Sequence, residues 1–292
     1  MNIRKTEMVV PPKEPHFVGD GFRVHNFIPS TQRMNMKRMD PFILLDYNSK
    51  FHFPPSDKQR GVGVHPHRGF ETVTIAYKGK VAHHDSSGGG GVIGEGDVQW
   101  MTAASGVLHK EYHEEEFSKE GGVFQMVQLW VNLPAKYKMS EPKYQGISNN
   151  KIPKVSLPDN GGEIEVIAGE YEGEEGASDT FSPLNLFNAR LQSGNVANFE
   201  FPGHYNTGLL VIEGSIEVND EEEVPTDHFV LFENTSGSFK VNAQENAIVL
   251  ILSGEPLNEP IAAQGPFVMN TQDELAQAMR DYHSGKFGKL EG

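Results

Sequence analysis

Apolar residues in this chain come in short, β-branched and aromatic runs, each closed by Gly, Asn, Asp or Pro. GFRVHNFI (residues 21–28), ETVTIAY (71–77), VFQMVQLWVN (123–132) and AIVLIL (247–252) are examples. Runs of this length and spacing predict strands joined by tight turns, and hence an antiparallel sandwich or barrel rather than a helical bundle. Gly (31) and Pro (18) are abundant enough to supply those turns. One helix is expected near the end. Thr271 and Glu274 form a capping box, Leu275, Met279 and Tyr282 share a face, and Gly285 stands where a helix stops.

The pattern repeats weakly. FETVTIAYKGKV (residues 70–81) resembles YNTGLLVIEGSI (205–216), each reading as strand, Gly turn at Gly79 or Gly214, strand. Ser105-Gly106 is matched in the same way by Ser236-Gly237. Two copies of one barrel would produce this. Residues 135–153 are polar and carry three Pro if Pro134 is included, so they read as a linker. The expected division is a barrel over 1–134, a linker over 135–153, a second barrel over 154–264, and a closing strand and helix over 265–292. The acidic, Gly-rich stretch 169–179 reads as a solvated loop.

Bulk properties exclude several functions. The formal net charge is −15, which repels a phosphate backbone and argues against direct nucleic-acid binding. There is no Cys, so disulfides, thiolate zinc and Fe–S clusters are ruled out, and any metal must be held by His and carboxylate. No signal-peptide core and no membrane-length apolar window is visible, so a cytoplasmic protein is expected.

His65-Pro66-His67 sets two imidazoles two residues apart, which in a strand is one face. Pro66 stiffens the pair. His109-Lys110-Glu111 repeats the arrangement with a His and a carboxylate. Two such pairs on facing strands would surround one ion, and inward polar residues in a small barrel need such a partner. Imidazole plus carboxylate suits Fe(II), Mn, Ni, Cu or Zn, and octahedral coordination would leave two open positions.

The runs HPHRGFETVT (residues 65–74) and GDVQWMTAASGVLHKE (96–111) closely resemble the pirin family. DPFILLD (40–46), QLWVNLP (128–134), EPKYQ (141–145) and GPFVMNT (265–271) extend the likeness over nearly the whole chain. The resemblance implies an all-β fold of two cupin (jelly-roll) β-barrels in one chain, with a short C-terminal helix. It implies Fe(II) in the N-terminal barrel, with His65, His67, His109 and Glu111 as the metal ligands. Some pirins open the ring of quercetin with dioxygen. The implied activity is therefore a dioxygenase acting on a flavonol or other small aromatic substrate, with Glu111 also catalytic as general base. The alternative is a redox-dependent regulatory protein that binds a transcription factor or metabolic enzyme.

Aligning the two Gly turns and the two Ser-Gly pairs puts Glu200, Pro202, Lys240 and Asn242 where the first barrel has its four candidate ligands. That is no ligand set, and a metal-free second barrel is expected. Of the remaining polar residues, Arg68 suits orienting Glu71 or an anionic substrate, or a structural ion pair. His83-His84-Asp85 looks like a further ligand cluster, but adjacent strand residues point opposite ways, so both His cannot face one ion and a turn or edge role is expected. His113 and its three following Glu suit a solvated charge run. Trp100 and Phe70 are expected in the core.

Overall fold

The computed structural model describes residues 2–291. The chain forms two compact units, each built on one seven-stranded and one four-stranded antiparallel sheet. These are the two cupin barrels.

One unit comprises Glu14–Lys37, Pro41–Asn149 and the chain from Leu257 onward. Its large sheet runs Lys143–Ile147, Val98–Thr102, Phe70–Lys78, Gly122–Asn132, Phe42–Phe53, Phe22–Ile28 and His16–Val18. Its small sheet runs Gly61–His67, Val107–His113, Val81–Asp85 and Gly90–Ile93. The hairpin Ala262–Gln264/Phe267–Met269 and the helix Gln272–His283 belong to this unit. Thr271 caps the helix with the reciprocal Glu274 bond, as the sequence predicts, and Gly285 follows at φ +77°. Leu275 and Ala278 bury against Phe267, Met269 and Phe287.

The second unit comprises the N-terminal segment to Lys13, Arg38–Asp40 and Asn150–Pro256. Its large sheet runs Thr6–Val10, Phe229–Phe232, Asn206–Glu213, Ala247–Gly254, Leu184–Leu191, Gly162–Ala168 and Lys154–Ser156. Its small sheet runs Val196–Glu200, Ser238–Ala243, Ile216–Val218 and Glu222–Val224. Position for position, this repeats the order of the first unit. The two Gly turns of the sequence repeat occupy equivalent corners, with φ +81° at Gly79 and +74° at Gly214.

The unit boundaries differ from those expected at residues 134, 154 and 264, because outer strands are recruited from distant sequence. Thr6–Val10 pairs with Phe229–Phe232, so the chain's start completes the second unit. Within the stretch that reads as a linker, Lys143–Ile147 pairs with Val98–Thr102 and completes the first. Polar composition misleads here because an outer strand exposes much of its surface. The acidic stretch 169–179 contains a short hairpin, Glu170–Tyr171 with Glu174–Glu175. No helix among the described residues is long and apolar enough to cross a membrane.

A Cβ on Gly214 would meet the Asn246 carbonyl oxygen at 2.4 Å, whereas at Gly173 (φ +87°) it would meet nothing within 4 Å. Gly173→Ala is therefore expected to cost about 1–2 kcal/mol for the left-handed backbone alone. Gly214→Ala should cost clearly more in urea unfolding. Equal losses would show that the corner relaxes freely.

Candidate metal centre

Alternation along three neighbouring strands builds the site. Val107–His113 is the middle strand, with Gly61–His67 on one side and Val81–Asp85 on the other. In its ladders His109 stands opposite both His65 and Asp85, and Glu111 opposite Val62 and His83. Residues two apart share a face, so His65, His67, His83, Asp85, His109 and Glu111 all belong to one face of the sheet. The two expected pairs thus lie on adjacent strands of one sheet rather than on facing strands. A bulge between His109 and Glu111 adjusts the spacing of the second pair.

The structure brings His65, His67 and His109 together. One ligand nitrogen from each lies within 4.8 Å of the others, and His65 Nε2 is 2.8 Å from His109 Nε2. The backbone orients two of these rings: His65 Nδ1 faces the Gly63 carbonyl at 2.8 Å and His67 Nδ1 the Pro266 carbonyl at 3.4 Å. A carbonyl oxygen can only accept, so each Nδ1 carries a hydrogen, and in the neutral ring Nε2 keeps the lone pair. Burial, and then the neighbouring histidines, hold His67 and His109 well below the ordinary imidazole pKa. Both are therefore neutral at physiological pH, the state in which imidazole binds a metal. Lone pairs converging in a buried space suit a divalent cation, so these residues fit the metal that the fold implies.

Glu111 is nearby and tightly held. Its Oε1 accepts from Thr74 Oγ1 at 3.2 Å and Gln99 Nε2 at 3.1 Å, and its Oε2 from Gln128 Nε2 at 2.6 Å. A carboxylate oxygen of Glu111 lies within 4.8 Å of ring nitrogens of His83 and His109. With His65 and His67, Glu111 lines a cavity of about 330 Å³ whose other walls include Phe22, Val24, Val62, Met126 and Trp130. Asp46 is a second carboxyl on this cavity, its pKa raised by burial against a bond from Asn26 at 2.7 Å.

Some of the remaining residues fall as expected and others do not. His83 is fully buried and faces inward, while His84 is exposed and meets the Tyr112 hydroxyl at 2.8 Å. The His-x-Asp spacing of residues 83 and 85 carries this signal, but the adjacent His84 obscures it. His113 is also buried, its Nε2 donating to the Gly21 carbonyl at 2.8 Å and its ring packed among Phe53, Phe117 and Phe124. The charge run proper begins one residue later, where Glu114 caps the short helix Glu115–Glu120. Arg68 does not orient Glu71. It pairs with Asp281 at 2.9 Å, donates to the Ser105 carbonyl and lies over the Phe287 ring. Trp100 and Phe70 are core residues.

In the second barrel the register differs from the one that the sequence repeat suggests. On Val196–Glu200 the buried residues are Ala197 and Phe199, and on Ser238–Ala243 they are Phe239, Val241 and Ala243. Phe199 pairs with Phe239 as His65 pairs with His109. The positions equivalent to His65, His67, His109 and Glu111 are thus Phe199, Phe201, Phe239 and Val241. Alignment on the Gly turns and Ser-Gly pairs is one residue out of register, which inverts the face of a strand. Aromatic packing fills this interior, with Phe232 on Phe239 at 4.1 Å and Phe199 on Phe239 at 5.4 Å.

Two similar jelly rolls, one lined by a histidine cluster, define a bicupin with a candidate metal centre in one barrel. Sequence comparison agrees. The model of the Pirin family matches residues 21–131, and that of the Pirin C-terminal cupin domain matches 186–288. A Pseudomonas aeruginosa protein named "Putative quercetin 2,3-dioxygenase PA2418" is 47% identical over 93% of this chain and 94% of its own. Pirin-like protein 2 of Arabidopsis thaliana is 39% identical over 92% and 81%. A crystal structure of quercetin 2,3-dioxygenase from Acinetobacter baumannii superposes with a TM-score of 0.93 at 47% identity, covering 99% of this chain and 100% of that one. The chain belongs to the pirin family.

On the large sheet, Glu71 is buried and accepts from Thr102 Oγ1 at 2.7 Å. Burial, opposed by that bond, raises its pKa from 4.5 to about 7. Below pH 4.5 the carboxyl is protonated whether the chain is folded or not. Between 4.5 and 7 the folded state keeps a proton that the unfolded state has released, so stability falls as pH rises, by roughly 3 kcal/mol in full. In Glu71→Gln this fall should be shallower when urea midpoints are compared across that window. An unchanged slope would assign it to other groups.

Proposed function

We propose that this chain is a mononuclear non-haem iron bicupin that opens the ring of quercetin-like flavonols with dioxygen. His65, His67, His109 and Glu111 are the proposed ligands, and Fe(II) the proposed ion. The observation that carries the reading is the convergence of three imidazole nitrogens, those of His65 and His67 from residues that line a largely apolar cavity of about 330 Å³. That volume lies within the range of small-molecule sites. The names of the Pseudomonas and Acinetobacter relatives support the substrate class.

The chain's own residues divide the task. Val24, Val62, Met126 and Trp130 exclude water and give the flat rings an apolar bed. Trp130 is itself fixed by stacking on Phe70 at 4.2 Å and by an edge contact to His67. Glu111 is the base for the acidic flavonol hydroxyl, taking its proton on a carboxylate oxygen. Gln99, Gln128 and Thr74 hold that carboxylate in one orientation while it does so. Fe(II) bound to the histidines would supply Lewis acidity toward the resulting oxyanion and open positions for dioxygen.

Anaerobically purified, iron-loaded protein should bleach the quercetin absorbance when oxygen is admitted. His65→Ala should lose most of its metal by elemental analysis, and its activity should fall at least a hundredfold. Glu111→Gln should keep more metal than His65→Ala while losing turnover. No bleaching at any iron loading would refute the dioxygenase assignment, and full metal content in His65→Ala would refute the ligand set.

A further inference from the structure

Three polar residues on and just beyond the small sheet serve neither the histidine cluster nor the cavity wall: His83, Asp85 and Ser87. They form a chain that ends on a candidate ligand. Asp85 Oδ1 accepts from the Ser87 backbone N–H at 2.8 Å, the Ser87 hydroxyl at 2.6 Å and the Gly89 N–H at 3.0 Å. Its other oxygen, Oδ2, faces His83 Nε2 at 3.2 Å. The far nitrogen of that ring, His83 Nδ1, lies 3.4 Å from His109 Nδ1. His83 has no exposed surface and stacks on Tyr144, with ring centroids 5.3 Å apart and planes at 19°.

Proton positions are set in turn from one end to the other. A carboxylate has only lone pairs to offer, so His83 Nε2 carries a hydrogen. In a neutral ring His83 Nδ1 is then bare. It can bond to His109 Nδ1 only if that atom carries a hydrogen, which leaves His109 Nε2 bare, 2.8 Å from the bare His65 Nε2. Two lone pairs this close repel until a cation is placed against both, whereas a hydrogen on His109 Nε2 would be the competing arrangement. For His65 and His67 a backbone carbonyl fixes the same tautomer. His109 has His83 in that place.

We propose that Asp85 and His83 are positioning residues that fix His109 as its Nδ1–H tautomer, presetting the Nε2 lone pair for a divalent metal. This rests on the reading of His65, His67 and His109 as ligands. Partners of this kind commonly change metal affinity 10- to 100-fold when removed.

Asp85→Asn gives a directional test. Three donors converge on Oδ1, so the introduced amide must turn its carbonyl toward them and its NH2 toward His83. His83 Nε2 then becomes an acceptor, its hydrogen moves to Nδ1, and His109 must accept there and carry its own hydrogen on Nε2. Long-range ¹H–¹⁵N spectra of the metal-free protein read these tautomers directly. The expected result is Nδ1–H on His109 in the wild type and Nε2–H in Asp85→Asn. Fe(II) affinity, measured anaerobically by chelator competition, should fall 10- to 100-fold in the variant. Thermal unfolding of the metal-free protein should change little, and His84→Ala should match the wild type throughout.

An Nε2–H His109 in the wild type overturns the proposal without any variant, and so does an Asp85→Asn protein with unaltered tautomers and affinity. Two ions per chain would also overturn it, since His83, His109 and Glu111 would then be a second ligand group. A wild type with the expected tautomers that takes up no Fe(II) would uphold the relay and count against the metal reading alone.

Discussion

The inside of each barrel is decided by alternation along three adjacent strands of its small sheet. In the first unit, residues two apart on Gly61–His67, Val107–His113 and Val81–Asp85 place four imidazoles and two carboxylates on one face. Polar groups buried this way must find partners or lose the free energy of their hydration. Each does so in a specific manner. Gly63 and Pro266 carbonyls take the outer nitrogens of His65 and His67, while Thr74, Gln99 and Gln128 hold Glu111 in place. What remains is a set of converging imidazole nitrogens, with His65 Nε2 and His109 Nε2 2.8 Å apart. The rest of the unit, including the apolar cavity beside them, is arranged around that set.

The second unit is a control supplied by the same chain. Its sheets have the same strand order and its corners the same positive-φ glycines, yet the equivalent inward positions hold Phe199, Phe201, Phe239 and Val241. Val218 stands where the first barrel has His83, since it pairs with Val241 as His83 pairs with Glu111. One scaffold thus supports either a polar cluster or a close-packed aromatic core. The choice lies in side chains at a few alternating positions and not in the backbone.

Much of this is legible in the sequence. The paired motifs HPH and HKE encode a shared face through their spacing, and the Gly79 and Gly214 turns reveal the repeat. The family resemblance then joins the two pairs at one centre. Three things are not legible, each for a physical reason. Strand partners distant in sequence leave no local trace, which hides the recruitment of Thr6–Val10 and Lys143–Ile147. A one-residue register choice reverses which side chains face inward, and a weak repeat does not resolve it. His83 and His113 lie in polar sequence but are buried by non-local packing, against Tyr144 and a phenylalanine cluster respectively.

The central claim is that the lone pairs of His65, His67 and His109 meet at one ion. X-ray absorption at the iron edge of the anaerobically loaded protein tests it most directly. The account predicts an outer-shell scattering pattern from three imidazoles bound through Nε2, with the remaining ligands oxygen, and a clear drop in imidazole scattering in any His65→Ala protein that still carries iron. A spectrum with oxygen ligands alone, or one unchanged by that substitution, would contradict it.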